Sequence, residues 1–382
     1  MSLIFSEILI FISLVILTSY AVFLIFLILK WKAANQIIGT SNFQSAISIV
    51  IAARNESRNI KELLNSLYNL KYEIENFEVI IVDDHSSDDT YKICEVFFAE
   101  NNLHNFSVVN LPNSVSGKKA AISFGISKSK YSLIACTDAD CVVHEYWLEQ
   151  ISGAFETEKC RFLSMPVLLE SNNSFLHKFQ QLDFLFLNAS GGASMVGGKP
   201  LMCNAANMAF FKEDFLDFET NNSNKIASGD DMFLMLFIKT KYQQAKACFF
   251  LKSEDSIVKT KAVESLNALL NQRIRWTKKA KYYNDNYVLS IGFLVGMLNL
   301  IFVTLFFTAL QFNHLISVLG IFLLVRISFE YAFFLAIKSF YKISFSIGHF
   351  ILSSIIYPFY VVFIGVLSII KKFEWKQRKF DY

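Results

Sequence analysis

The sequence predicts a doubly wound α/β domain carried between transmembrane helices at the N-terminal and C-terminal ends. Of the 382 residues, 53% are hydrophobic and 15% are aromatic, more than an ordinary soluble domain contains. The excess lies at the two ends, whereas the middle alternates strand-like and helix-like segments. Two aspartates, Asp138 and Asp140, directly follow one strand-like segment. Together these features indicate a membrane protein with a central ligand-binding α/β domain.

The first predicted element is a membrane helix within residues 1–32. Residues 8–29 form an almost unbroken apolar run, which can cross a hydrocarbon core of about 30 Å at roughly 1.5 Å per residue. A cleaved signal peptide is the alternative, but no basic residue precedes the run and it is longer than the apolar core of such a peptide. We therefore expect a helix that stays in the membrane.

The middle region, residues 45–260, alternates strands with helices. The predicted elements are a strand at 46–52, a helix at 59–70, strands at 77–82 and 106–110, a helix from Lys118, and a strand ending at Asp138. Ligands of such folds bind beyond the carboxyl ends of the strands. The polar residues expected at that edge are Arg54, Glu56, Asp83, Asp84, Asp138 and Asp140.

Asp138 and Asp140 are candidate metal ligands. On an extended chain, side chains at i and i+2 point the same way, so both carboxylates could bind one Mg²⁺ or Mn²⁺. An acidic turn that closes the strand is the alternative. No glycine-rich dinucleotide or Walker loop is present, which excludes the phosphate cradles of Rossmann oxidoreductases and P-loop hydrolases. The six cysteines lack zinc-site spacing, and a net charge of +3 is too small to indicate nucleic acid.

An aromatic, apolar segment at residues 175–187 fits either an element in the membrane interface or a buried core helix. The glycine pairs at 191–192 and 197–198 predict a flexible loop after it.

Residues 261–286 predict an amphipathic helix in the membrane interface. Gln272, Arg275 and Trp276 stand at i, i+3 and i+4 and share one face. We expect Arg273, with Lys278 and Lys279, to face the lipid headgroups.

Three apolar segments, at 288–312, 315–337 and 343–370, make residues 287–370 a membrane region, followed by a basic tail at 371–382. Lys30 and Lys32 close the first apolar run, and Lys278, Lys279 and Lys281 precede the second. By the positive-inside rule, the middle domain is therefore expected in the cytoplasm. Three full crossings would leave the basic tail outside. We therefore expect the last segment to be broken near Pro358 and the tail to be cytoplasmic.

Seven short motifs, in order along residues 45–283, resemble membrane-bound family 2 glycosyltransferases with a GT-A fold. Each motif alone is weak, but their common order makes the resemblance specific. The motifs are VIAARNE (50–56), IIVDDHSSDDT (80–90), GKKAA (117–121), TDAD (137–140), NAANMAF (204–210), SGDDMFL (228–234) and QRIRW (272–276).

The resemblance implies a nucleotide-sugar site and assigns its residues. Ala53, Glu56 and Asp84 would hold uracil and ribose. Asp83 would support the loop that carries Asp84, and Lys118 would line the same side of the nucleotide site. Asp138 would reach the nucleotide, and Asp140, with Asp138, would ligate Mg²⁺ or Mn²⁺. Asp231 would be the catalytic base of an inverting reaction. Asp230 stands where the family often has Glu, so its role stays open.

Gln272, Arg275 and Trp276 would complete the catalytic residues, with the guanidinium beside the departing diphosphate. The resemblance favours transfer from a UDP-sugar to a lipid or lipid-linked acceptor, as in ceramide- or hopanoid-type enzymes, at the cytoplasmic face of a bacterial inner membrane. Two alternatives remain: a processive polysaccharide synthase, which shares the QRIRW-type motif, and a non-catalytic membrane protein that senses nucleotide or lipid.

Overall fold

The computed structural model describes residues 2–34, 44–221, 230–243, 246–371, 373–375 and 378–380. The helices are α1 Ser2–Ala33, α2 Ile60–Tyr68, α3 Thr90–Glu100, α4 Lys118–Lys128, α5 Trp147–Glu158, α6 Phe175–Val196, α7 Lys212–Asn221, α8 Asp230–Tyr242, α9 Leu266–Lys279, α10 Asn286–Ala309, α11 His314–Lys338 and α12 Ile347–Ile370. The strands are β1 Ile47–Ala53, β2 Phe77–Asp83, β3 Phe106–Asn110, β4 Leu133–Cys136, β5 Cys141–Val142, β6 Phe162–Ser164, β7 Val167–Glu170, β8 Met208–Phe211, β9 Cys248–Phe250, β10 Val258–Lys261, β11 Phe373–Trp375 and β12 Arg378–Phe380.

The described chain divides into two compact units. One, the α/β unit, comprises residues 34–170 and 187–262. The other, the helical unit, comprises residues 1–33, 171–186 and 263–382. Helix α6 contributes its first part to the helical unit and its remainder to the α/β unit.

A seven-stranded sheet in the order β3-β2-β1-β4-β8-β6-β9 organises the α/β unit. Strands β3, β2, β1 and β4 pair in parallel, and β8 runs antiparallel between β4 and β6. Nearly every residue of β1 is buried, as expected for a parallel strand covered on both faces. Helix α2 buries Ile60, Leu63, Leu64 and Leu67 on one face. The predicted doubly wound α/β domain is confirmed.

A smaller sheet, β5-β10-β7, lies in the same unit. Strand β5 begins directly after Asp140 and pairs antiparallel with β10, so it anchors the far end of the aspartate segment. The flexible loop predicted at Gly191 and Gly192 is wrong, because both residues lie inside α6. A Cβ on Gly192 would come within 2.6 Å of the Phe250 ring, which explains glycine there by close packing.

Among the described residues of the helical unit, four helices are long and apolar enough to cross a membrane. They are Ile4–Ala33, Asn286–Ala309, His314–Lys338 and Ile347–Ile370. The break predicted near Pro358 is wrong, because α12 continues through this residue. Proline removes one backbone hydrogen bond, but a long apolar helix packed against neighbours tolerates that loss. Helix α12 packs against α9 and α10.

A buried polar contact joins α1 to α11. The Arg326 Nε donates to Glu330 Oε1 at 2.8 Å, and the Tyr20 hydroxyl donates to the same oxygen at 3.2 Å. All three side chains are buried. Arg326 and Glu330 therefore belong to a helix–helix contact, where each polar group compensates the desolvation of another.

Candidate functional site

The segments that follow β1 and β2 meet at one edge of the large sheet. Ala53 pairs with Asp83, so both strands end at the same level. The Asp84 amide donates to the Ala53 carbonyl at 2.8 Å, and Arg54 Nη1 donates to the Asp84 carbonyl at 2.5 Å. Glu56 continues the first segment, and its amide donates to Thr90 Oγ1 at 2.8 Å. The residues predicted to hold the base and ribose therefore share one hydrogen-bonded edge.

The carboxylates of Asp83 and Asp84 are buried and both support loops. Asp83 Oδ2 accepts from the Ser86 amide at 2.9 Å, and Asp84 Oδ2 accepts from the Gly117 amide at 3.0 Å. Gly117 has a φ of 103°, which favours glycine, and it stands immediately before α4. Asp83 Oδ1 is buried and has no hydrogen-bond partner among the described residues. A buried acceptor of this kind suits a ligand N–H group.

Asp88 is exposed and stabilises the loop that follows β2. It accepts from Thr90 and from the Ser57 amide, so it connects the loops after β1 and β2. Burial alone would raise the pKa of Asp88, but these hydrogen bonds lower the pKa to about 2. Asp88 is therefore ionised at neutral pH.

Lys118 joins this edge to the aspartate pair. Its ammonium group contacts Asp138 Oδ1, and the two side chains are 31% and 30% exposed. Strand β4 already ends at Cys136, and Asp140 lies in a turn, so the two aspartates are not side by side on an extended strand as predicted. The turn itself keeps both close to the carboxyl end of β4, because β5 begins at Cys141.

The candidate ligands for a divalent cation are the carboxylates of Asp138 and Asp140. Among the described residues, no group of three or more His, Cys, Asp or Glu side chains is arranged to hold a metal ion. Mg²⁺ commonly binds to one or two carboxylates and completes its shell with water and substrate phosphates. Asp138 and Asp140 therefore fit a cation that arrives with a diphosphate.

Asp231 lies near the motif at residues 204–210. It is the second residue of α8, and its Oδ2 accepts from the Ala205 amide at 3.2 Å. A carboxylate in the first turn is stabilised by the helix dipole. Asp230 is the first residue of α8, and its side chain lies outside the described part of the chain.

Asn207 has a role that the sequence reasoning missed. Its side chain is fully buried and donates to the carbonyls of Pro166 and Ser256 at 2.8 and 2.7 Å. Its Oδ1 accepts from Trp147 Nε1 at 2.9 Å. In the sequence, Asn207 stands between Ala206 and Met208, and a polar residue in an apolar segment could have indicated a buried hydrogen-bonding role. These bonds hold the segment whose Ala205 amide contacts Asp231.

Gln272, Arg275 and Trp276 lie on α9 in the helical unit and are half-buried. The N-cap Ser265 accepts from the Ala268 amide at 3.2 Å, which starts this helix. The expectation that Arg273 faces headgroups is wrong. Arg273 is buried, and its Nη2 lies 2.7 Å from Asp183 Oδ2. The catalytic roles of Gln272, Arg275 and Trp276 stay predictions.

Comparison with known families decides the assignment. Residues 48–217 match the family described as "Glycosyl transferase family 2". Residues 133–369, which are more than half of the chain, match the family described as "Glycosyl transferase family group 2". The chain is a family 2 glycosyltransferase. The second match extends into α12, so it includes the apolar helices that follow the α/β unit.

Curated relatives and a solved structure agree with this family. The glycosyltransferase is 33% identical to glycosyltransferase AglE of Haloferax volcanii over 105 residues, 27% of this chain and 33% of AglE. It is 24% identical to poly-beta-1,6-N-acetyl-D-glucosamine synthase of Staphylococcus epidermidis over 240 residues, 61% of this chain and 54% of the synthase. The match thus spans about a third of the length of AglE and about half of the length of the synthase.

The glycosyltransferase has the fold of mannosyltransferase PcManGT from Pyrobaculum calidifontis, solved in complex with GDP-Man and Mn²⁺. The TM-score is 0.57 at 12% identity, and the match covers 95% of this chain and 99% of the other. The predicted GT-A fold is therefore confirmed.

We predict that Asn207→Ala lowers the free energy of unfolding by about 3 kcal/mol, because it leaves buried partners unpaired. Thermal unfolding of the purified glycosyltransferase measures this loss. Asn101→Ala is the control, since its side chain makes one hydrogen bond at the end of α3. Equal losses in the two variants would contradict the role assigned to Asn207.

Proposed function

We propose that this glycosyltransferase transfers one hexosyl group from a UDP-sugar to a membrane lipid or lipid-linked acceptor, with inversion at the anomeric carbon. The Lys118–Asp138 contact carries the proposal. It joins the loop system of Asp83 and Asp84 to the aspartate pair, so the residues proposed to bind the base and those proposed to bind the diphosphate lie at one edge of the sheet.

The donor's base would bind at the buried Asp83 Oδ1, which can accept the imino N–H of uracil. Guanine offers a similar N–H, and GDP-Man is bound in the PcManGT complex. Ala53, Glu56 and Asp84 lie at the same edge and would contact base and ribose. Lys118 would shift its charge contact from Asp138 toward the phosphates when the donor binds.

Asp140 and Asp138 would hold Mg²⁺ or Mn²⁺, which neutralises charge on the diphosphate when bound. Asp231 would act as base. The acceptor hydroxyl oxygen forms a bond to the anomeric carbon as the bond from that carbon to the diphosphate breaks, and the hydroxyl proton passes to the Asp231 carboxylate. Attack opposite the leaving group inverts the configuration. Gln272, Arg275 and Trp276 would assist this step by the family resemblance.

The membrane setting supports a lipid acceptor. Helix α9, which carries Gln272, Arg275 and Trp276, packs its Ile274 against Ile364 of the apolar helix α12. The motif is therefore attached to a helix with the composition of a membrane span. A hydroxyl or phosphate at the end of a lipid would reach such a position without leaving the membrane surface.

We also propose that the α/β unit is cytoplasmic, in a bacterial inner membrane. Basic residues at the ends of α1 and α9 support this orientation. Strand β11 of the tail lies beside α9, which precedes α10. The tail would then share the cytoplasmic side with α9, and α12 would not complete a crossing although it is continuous.

A processive polysaccharide synthase is the second candidate, since a poly-beta-1,6-N-acetyl-D-glucosamine synthase matches 61% of this chain. The third possibility is a non-catalytic sensor, which would bind nucleotide or lipid but would transfer no sugar.

The deciding experiment uses the full chain in lipid nanodiscs containing bacterial lipid extract. UDP-glucose, UDP-galactose, UDP-N-acetylglucosamine and GDP-mannose are supplied separately, and released nucleotide and lipid masses are measured. One hexose added to a lipid, with release of UDP, supports the proposal. A ladder of sugar additions would indicate the synthase, GDP release would overturn the UDP assignment, and donor binding without release would indicate the sensor.

We predict that Asp140→Asn stays folded and loses at least about a hundredfold in turnover, because the cation loses a charged ligand. Turnover and donor affinity are measured with added Mn²⁺ and with chelator. Asp89→Asn, at an exposed position before α3, is the control and should resemble wild type. Near wild-type turnover of Asp140→Asn with chelator present would rule out this metal site.

We predict that Asp231→Asn binds the donor as wild type does, but turns over about 10²- to 10⁴-fold more slowly. The amide oxygen can still accept from the Ala205 amide, so the loop keeps its bond while the proton acceptor is lost. Calorimetric donor titration and single-turnover kinetics separate the two effects. If donor affinity collapses as well, Asp231 holds the donor and is not the base.

We predict that a cysteine at Gln377 escapes a membrane-impermeant thiol reagent in intact cells and reacts after permeabilisation. The background has the native cysteines replaced, and Ser2→Cys is the positive control because the N-terminus is expected outside. Labelling at position 377 without permeabilisation would mean that α12 crosses the membrane.

A further inference from the structure

Arg273 is a residue of the QRIRW segment in the helical unit to which the family resemblance assigns no role. It stands between Gln272 and Ile274 on α9 and is 6% exposed. Its Nε and Nη2 both contact Asp183 Oδ2 on the first part of α6, at 2.9 and 2.7 Å. Burial would lower the pKa of the guanidinium, but the Asp183 carboxylate raises the pKa above its ordinary value. Arg273 is therefore a permanent buried cation.

The same guanidinium contacts two residues of the motif. Its Nη1 donates to Gln272 Oε1 at 2.6 Å. Its central carbon lies 4.2 Å from the centre of the Trp276 ring, within the range of a cation–π contact. The Phe184 ring, next to Asp183 on α6, lies 6.4 Å from Trp276. Trp276 thus contacts Arg273 and lies near Phe184.

Asp183 is held in turn by α12. The Tyr357 hydroxyl donates to Asp183 Oδ1 at 3.2 Å, so both oxygens of this buried carboxylate have partners. The chain of contacts runs from Tyr357 through Asp183 to Arg273, and from there to Gln272 and Trp276. Three helices, α6, α9 and α12, meet in this cluster.

We propose that Asp183, Arg273 and Tyr357 position the side chains of Gln272 and Trp276, an inference that rests on the proposed function of that motif. Gln272 has several rotatable bonds and Trp276 has two, and reaction would need one arrangement of each. A planar guanidinium can bond Asp183, bond Gln272 and stack on an indole at once. A lysine ammonium keeps the charge but cannot make all three contacts.

A brace that only holds α6, α9 and α12 together is the competing explanation. Both explanations expect a loss of stability when Asp183 or Arg273 changes. They differ in two measurable respects. If the cluster is only a brace, Trp276 keeps one arrangement in the folded variants and their turnover is unchanged, whereas loss of positioning contacts gives Trp276 several arrangements and lowers turnover.

The first experiment observes Trp276 directly. The full chain is labelled with 5-fluorotryptophan, and Trp276→Phe assigns the Trp276 signal in the ¹⁹F spectrum. We expect Asp183→Asn, Arg273→Lys and the milder Tyr357→Phe to broaden or split that signal, because the ring then adopts more than one arrangement. Trp147, buried in the α/β unit, is the internal control and should not move. Glu330→Gln, which weakens another buried arginine–carboxylate pair of the helical unit, is the matched variant control. A single Trp276 signal of wild-type width in all three variants overturns the proposal.

The second experiment measures kinetics of the folded fraction. We expect Asp183→Asn and Arg273→Lys to lower kcat about ten- to a hundredfold, the usual scale for misplaced groups, with donor KM within about twofold. Wild-type kcat in both variants overturns the positioning role. If wild type itself transfers no sugar, the proposed function fails, and the ¹⁹F result still decides whether Arg273 positions Trp276.

Discussion

The parallel register of β1 against β2 and β4 is the constraint on which the candidate donor site depends. Ala53 pairs with Asp83, and Val50 pairs with Cys136, so the chain leaves three neighbouring strands at the same edge. A slip of one residue would turn each following side chain to the opposite face. The Asp84 amide would then lose its bond to the Ala53 carbonyl, and the carboxyl ends of β1 and β2 would no longer stand at the same level.

The loops at this edge are held by polar groups that cannot be left unpaired. The buried carboxylate of Asp84 needs the Gly117 amide, and that bond holds the start of α4 so that Lys118 contacts Asp138. The side-chain amide of Asn207 forms hydrogen bonds with three partners, and these bonds hold the segment that contacts Asp231. Because an unpaired buried polar group costs more than its bond contributes, each of these residues specifies one arrangement of its loop.

Buried charged groups in the helical unit are also paired. Arg273 with Asp183 and Arg326 with Glu330 are buried pairs, and a tyrosine hydroxyl completes each carboxylate. Removing one partner of such a pair leaves an uncompensated charge, so these contacts enforce particular neighbours among the apolar helices. Leucine and phenylalanine packing is less selective, because many arrangements bury similar apolar area.

The sequence by itself determined the strand–helix alternation, the apolar helices at both ends, and the edge that carries Asp83, Asp84, Asp138 and Asp140. These follow from periodicity and composition, which are local. The seven motifs also determined the family, now supported by matches over residues 48–217 and 133–369. The roles assigned to individual site residues stay predictions, because they concern a bound donor.

Only the tertiary structure decided which polar residues are paired and where the chain bends. Pro358 predicted a break, yet neighbours of α12 stabilise a continuous helix. Gly191 and Gly192 predicted a loop, but they allow Met202 and Phe250 to pack against α6. Arg273 belongs to an amphipathic pattern that predicts headgroup contact, whereas its partner Asp183 lies 90 positions earlier in the chain. Local pattern cannot specify such a partner, because the contact exists only after distant helices have packed.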